Sequence, residues 1–111
     1  MEFEDFLAFL KEDAQKEKTF IINPKRQIDL QKSYNALTEL IQTESIGAEI
    51  SCERGHLING YAFIRIKADY AAVTEIDKFY AAVINADNFE AYAEGNKVVI
   101  NIMFHNVLTR I

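Results

Sequence analysis

Apolar and polar positions at the start of the chain repeat with the period of an α-helix. Apolar side chains recur at i, i+3, i+4, i+7 and i+11 from Phe3 to Ala14, and acidic and basic residues fill the opposite side. The acids among the first positions suit the positive end of a helix dipole. This pattern predicts an amphipathic helix over about 2–16.

A second helical pattern follows Asn23 and Pro24. Asparagine suits the N-cap position, and proline suits the first helical position, where its missing N–H is not needed. We therefore expect a helix over 24–43. The short apolar run 19–22 before it fits either a covered connector or a brief edge strand. The apolar stripe of this second helix consists of Leu30, Tyr34, Leu37, Leu40 and Ile41.

After Gly47 the period changes to two, which is typical of β-strands. Apolar and polar residues alternate over 48–53 and again over 58–68, so these segments predict a hairpin. Gly60 lies within the return strand and indicates a bulge or a close approach there. Asp69 then suits the N-cap of a third helix over 70–85. The stripe of that helix consists of Val73, Ile76, Phe79, Tyr80, Val83 and Ile84.

A closing hairpin over 89–104 has the clearest pattern of the chain. A two-residue Gly95-Asn96 turn pairs Glu94 with Lys97. This register gathers apolar side chains on one face, which we expect to be core. Those side chains belong to Phe89, Ala91, Ala93, Val98, Ile100, Ile102 and Phe104.

The predicted fold is α+β, a single domain over 1–111 with element order α-α-β-β-α-β-β. Two hairpins give a four-stranded antiparallel sheet with the helices packed on it. The second sheet face is unusually rich in aromatic and apolar side chains, and two arrangements account for this. Either the N-terminal helix pair covers it in a three-layer domain, or part of it stays open for a homodimer or protein partner. Its residues are Tyr61, Phe63, Tyr92, Val99 and Met103.

Composition narrows the class of protein. The chain has 17 acidic and 12 basic residues and a formal net charge of −5, which works against binding to nucleic acid. No apolar run is long enough to cross a bilayer, so no membrane partner is expected. The acidic start does not resemble a signal peptide, and the single cysteine permits no internal disulfide. We expect a cytoplasmic protein.

Candidate catalytic and metal-binding residues are few. Cys52 and His56 are four apart and His105 is distant, which falls short of a zinc site with three or four convergent ligands. The alternation of the strand points Cys52 into the core while His56 lies in the turn, so a Cys-His nucleophile pair is also disfavoured. The glycines do not form a phosphate-binding loop. We expect no cofactor.

Lys25 and Arg26 lie in the first turn of the second helix, where the helix dipole disfavours positive charge. Together with the free N–H groups of that turn they predict an anion site. The competing interpretation is a pair of exposed basic residues without a ligand.

These patterns favour a non-enzymatic protein-binding or assembly module, such as an adaptor, a client-specific chaperone or an inhibitor, acting as a homodimer. Its surface would be the aromatic sheet face or the exposed side of the first two helices, with Phe9 as an anchor. The alternative is a small-ligand or catalytic pocket between sheet and helices that uses Tyr34, Tyr80 or His105. A third possibility is an acidic mimic of nucleic acid, which the interleaved basic residues dilute.

Overall fold

The computed structural model describes residues 2–15, 20–51, 57–58 and 61–110. Over these residues the chain forms helices α1 (Phe3–Gln15), α2 (Pro24–Thr43) and α3 (Ile76–Ala82), and a 3₁₀ helix (Tyr70–Glu75) leads into α3. The strands are β1 (Phe20–Ile22), β2 (Ala48–Ile50), β3 (Leu57–Ile58), β4 (Tyr61–Asp69), β5 (Asn88–Glu94), β6 (Lys97–Phe104) and β7 (Leu108–Arg110). The α+β fold class is confirmed.

The main sheet is antiparallel, with strand order β2-β4-β6-β5. The closing hairpin has its predicted register, with Glu94 opposite Lys97. Gly95 has φ 63° and Asn96 has a negative φ, the sign pattern of a type II′ turn. The first hairpin differs from the prediction because Ile58, predicted to begin the return strand, belongs to β3, and β3 pairs antiparallel with β4. The predicted bulge at Gly60 lies outside the described residues.

Helix α2 begins and ends where the sequence places it. The Asn23 side chain accepts a hydrogen bond from the Lys25 N–H at 3.0 Å, and Pro24 occupies the first turn. Both N-terminal helices bury their predicted stripes, because these are the positions that face the sheet. The buried stripe residues are Phe3, Phe6, Leu10 and Ala14 in α1, and Leu30, Tyr34 and Leu37 in α2.

The third helix is shorter than the 70–85 that the pattern predicts. Asp69 holds the N-cap position, but its carboxylate accepts no capping bond from the helix. It accepts a hydrogen bond from Lys97 Nζ at 2.6 Å instead. Val73, predicted to face the core, is 42% exposed because the first part of the segment winds as a 3₁₀ helix.

A small second sheet joins the segment between α1 and α2 to the segment that follows β6. The run 19–22, which fits two structures from sequence alone, contains strand β1, and β1 pairs antiparallel with β7. The Asn23 N–H donates to the Val107 carbonyl at 2.7 Å next to this sheet. Strand β7 is not predicted by the sequence pattern.

All three helices pack on one side of the main sheet, which we call the inner face. Its central side chains form one buried cluster with the helix stripes. The three-layer arrangement is therefore wrong for the described residues. The three helices leave part of the inner face uncovered, since every residue of β5 is exposed. No described helix is therefore left to cover the other side of the sheet. The inner face consists of Ala62, Ile64, Ile66, Ala68, Val98, Ile100, Ile102 and Phe104.

Candidate protein-binding surface

The side of the main sheet that faces away from the helices is the outer face. In antiparallel strands alternate side chains share a face, so the register of β4, β5 and β6 determines its members. In the described part of the chain no helix side chain belongs to a cluster with these residues. The outer face consists of Tyr61, Phe63, Arg65, Lys67, Asp69, Asn88, Glu90, Tyr92, Glu94, Lys97, Val99, Asn101 and Met103.

One end of the outer face is aromatic. The Tyr61 ring is 40% exposed and lies 4.4 Å, centroid to centroid, from the His105 ring. On the next rung Phe63 pairs with Met103, and both are partly buried. Such a surface combines apolar area with polar groups at its rim, which suits contact with protein.

The middle of the outer face is held by a polar pair. Arg65 Nε donates to Asn101 Oδ1 at 2.9 Å, and Asn101 is only 6% exposed. On the next rung Val99 lies between Lys67 and Tyr92 in the register and is fully buried, whereas Tyr92 is 43% exposed. Val99, one of the predicted contact residues, is therefore placed to support Tyr92 and not to touch a partner itself.

The opposite end of the outer face is charged. The hydrogen bond to Asp69, together with the negative charges of Asp69 and Glu49, raises the pKa of the Lys97 ammonium. The Asp69 N–H also donates to the Gly47 carbonyl at 2.7 Å. A Cβ at position 47 would meet the Asp69 carboxylate, so this exposed side chain would have to turn away from its present position. The two ends of the outer face thus differ in chemistry.

Lys25 and Arg26 have different surroundings. Arg26 forms a group of contacts that we call the Arg26 clasp: it donates to Asp29 at 2.8 Å, Asp87 at 2.6 Å and the carbonyls of Asn85 and His105. Its guanidinium also lies 5.4 Å from the centroid of the Phe104 ring. Because these contacts use its N–H groups within the fold, Arg26 has few hydrogen-bond donors left for a bound anion. Lys25 is exposed, and its N–H is taken by the cap at Asn23.

Phe9 lies on α1 and is partly buried, away from the outer face. The structure therefore does not join it to the aromatic sheet residues in one surface. If Phe9 anchors a partner, it does so on the exposed side of the first two helices, which the sequence analysis names as the other candidate surface.

Strand β5 differs most from the sequence-based expectation. Its inner-face side chains, predicted to be core, are exposed, and Phe89 is 37% exposed. The Tyr80 ring, whose centroid is 4.3 Å from that of Phe89, contacts the strand from the helical side. The alternation of apolar residues could not predict this exposure. It shows that one face of a strand is apolar, but it does not show whether a helix is long enough to cover that face.

The three polar residues proposed for a ligand pocket do not converge. Tyr34 lines an open cleft of about 330 Å³ between the start of α1, α2 and β2. Tyr80 contacts Phe89 near β5, and His105 contacts Tyr61. The cleft is at the lower end of the size range of ligand pockets, roughly 300–1,000 Å³. Of the three polar residues predicted for a pocket, Tyr34 lines this cleft, whereas Tyr80 and His105 do not.

In the described ranges no three His, Cys, Asp or Glu side chains are grouped as a metal site would require, and Cys52 and His56 lie outside those ranges. No helix in the described part of the chain is both long and apolar enough for a membrane span. Comparison with protein-family models, with curated proteins and with solved structures gives no match.

Proposed function

We propose that this chain is a non-enzymatic protein-binding or assembly module that acts in the cytoplasm through its outer sheet face. The observation that supports this proposal is the presence of two exposed tyrosines on a sheet face that no described helix covers. Tyr61 and Tyr92 are 40% and 43% exposed there. Tyrosine is enriched in protein interfaces because it offers a large rigid apolar surface with one polar group.

The chemistry of the outer face favours a protein over other partners. Its aromatic end offers apolar contact, its centre offers the partly exposed Arg65 side chain, and its charged end carries both signs in the Asp69–Lys97 pair. A nucleic-acid site requires clustered basic residues, and the net charge of −5 opposes one. The partner is a second copy of the chain or a different protein, as expected of an adaptor, a chaperone or an inhibitor.

The test compares proteins captured from the native cells by three forms of the tagged chain. The double variant Tyr61→Ser, Tyr92→Ser should lose a stoichiometric partner, because it removes the exposed aromatic area of the outer face. Tyr70→Ser is the matched control, since Tyr70 is 60% exposed but lies outside that face. It should keep the partner. Equal capture by all three forms, with folding verified by circular dichroism, would refute the proposal.

A further inference from the structure

Strand β5 is an edge strand with few of the features that protect against pairing. It pairs with β6 on one side, and its other edge meets no strand in the described part of the chain. Its register with β6 is continuous from Asn88 to Glu94, so no bulge interrupts it, and it contains neither lysine nor proline. Its two charged side chains, Glu90 and Glu94, both lie on the outer face, whereas bulges, lysine and proline are the stronger protections of edge strands.

The turn determines which backbone groups face this open edge. In a hairpin with a two-residue loop the closing pair, Glu94 and Lys97, exchanges hydrogen bonds, and every second pair does the same. Tyr92 and Glu90 therefore direct their N–H and carbonyl groups toward β6. The intervening residues Phe89, Ala91 and Ala93 direct theirs outward. The Phe89 N–H is taken by its neighbour, the Asn88 side chain, at 2.9 Å.

We infer that β5 pairs antiparallel with β5 of a second copy about a two-fold axis at Ala91. The register follows from charge. With the axis at Glu90, the two Glu90 carboxylates would be directly opposite, and with the axis at Tyr92, Glu90 would face Glu94 of the other copy. Like charges in these positions are destabilising. With the axis at Ala91, Glu90 faces Tyr92 and Glu94 faces Asn88.

The same register uses all the outward backbone groups. Ala91 pairs with itself and Phe89 pairs with Ala93, which gives about six hydrogen bonds between the copies. Asn88 releases the Phe89 N–H and lies opposite the Glu94 carboxylate, to which its amide can donate. Dimer formation thus replaces the hydrogen bond between Asn88 and Phe89 of one copy by hydrogen bonds between the two copies.

The inner side of β5 supplies apolar contact across the axis. Phe89, Ala91 and Ala93 are all exposed on that side, and in the paired form each Phe89 ring covers Ala93 of the other copy. The exposure of these side chains indicates that the helical layer of each copy ends before it reaches the two-fold axis. The helical layers of the two copies can therefore lie side by side without overlap. The result is a continuous sheet of both copies, in which the two outer faces adjoin.

This inference deepens the proposed function, since it names a second copy as one partner and doubles the outer face, and its test is independent of that face. Native mass spectrometry and sedimentation of the purified chain should show a dimer. Ala91→Pro should abolish it while leaving the β5–β6 bonds intact, because the N–H that it removes points outward. Tyr61→Ser, a change on the outer face, should leave the dimer unchanged.

A crosslinking experiment checks the register even where the proline variant does not fold. In a Cys52→Ala background, Ala91→Cys places two thiols on residues whose Cα atoms are about 5.5 Å apart. Ala93→Cys, on the same side of the same strand, places them roughly 14 Å apart. A thiol crosslinker of about 8 Å should link the first variant at least about tenfold faster than the second, as the two separations require.

A monomer at every concentration, or equal crosslinking of the two cysteine variants, would overturn the self-pairing. Capture of a different protein through the outer face would still uphold the proposed function in that case. Conversely, a dimer that Ala91→Pro abolishes would stand even if the Tyr61 and Tyr92 variant kept every captured protein.

Discussion

Arg26 shows how a single residue links parts of the chain that are distant in sequence. Its side chain is 14% exposed and reaches the Asp29 carboxylate in its own helix and the Asp87 carboxylate before β5. Asp29 also accepts a hydrogen bond from the Asn85 amide at 3.2 Å. The helix dipole disfavours a positive charge in this turn, but the two carboxylates and two carbonyls compensate for it.

Replacing Arg26 by alanine should lower the free energy of unfolding by about 3 kcal/mol, because it leaves partly buried carboxylate and carbonyl groups without their donor. The neighbouring substitution Lys25→Ala is the control and should change it by less than about 0.5 kcal/mol, as is usual for exposed positions. Urea unfolding of both variants measures the difference. Equal stability of the two would show that the Arg26 clasp does not hold the fold together.

At the scale of the element, the β5–β6 hairpin depends on the conformation of its turn. Gly95 has φ 63°, a left-handed conformation that glycine adopts without cost. A Cβ at position 95 would touch no other atom within 4 Å, so steric contact does not add to the effect of a substitution there.

Gly95→Ala should therefore destabilise the protein by about 1–3 kcal/mol, the cost of a sparsely populated positive-φ conformation for an L-residue. Asn96→Ala, at a position with negative φ, should cost less than about 0.5 kcal/mol. Both values come from urea unfolding, with the slope of the transition compared between variants. A Gly95→Ala protein as stable as the Asn96→Ala protein would contradict the turn assignment.

At the scale of the whole molecule, the stability of the protein at alkaline pH depends on Tyr80, which packs between the helical layer and β5. Burial raises the pKa of the Tyr80 phenol, and the charge of Asp77 raises it further. Below about pH 10 the phenol is neutral in both the folded and the unfolded chain, so it has no effect on stability. Above that pH the unfolded chain loses its proton first, so stability falls as pH rises.

Tyr80→Phe should therefore match the wild type at neutral pH and retain more stability at about pH 11, because it removes the group that ionises. Tyr70→Phe is the control at an exposed tyrosine and should follow the wild type. Urea midpoints at the two pH values give the comparison. If Tyr80→Phe and the wild type lost the same stability on going to alkaline pH, the raised pKa would be refuted.

The features that could be predicted from the sequence are local in origin. The stripes of α1 and α2, the Asn23 cap and the Gly95-Asn96 turn each depend on residues a few positions apart, and the structure confirms them. The register of the closing hairpin follows from its turn, because a two-residue loop leaves one pairing available.

Which surfaces meet could not be predicted in the same way, because it depends on packing between distant parts of the chain. An apolar stripe fits either side of a sheet equally well, so the sequence left open whether the N-terminal helices cover the outer face. The sequence pattern also overestimated the third helix, and the register of the closing hairpin placed the exposed inner side of β5 in the core. The Arg26 clasp joins residues 61 positions apart, and no periodic pattern reports such a contact. Local chemistry selects the elements, whereas their lengths and packing determine which faces remain open for a partner.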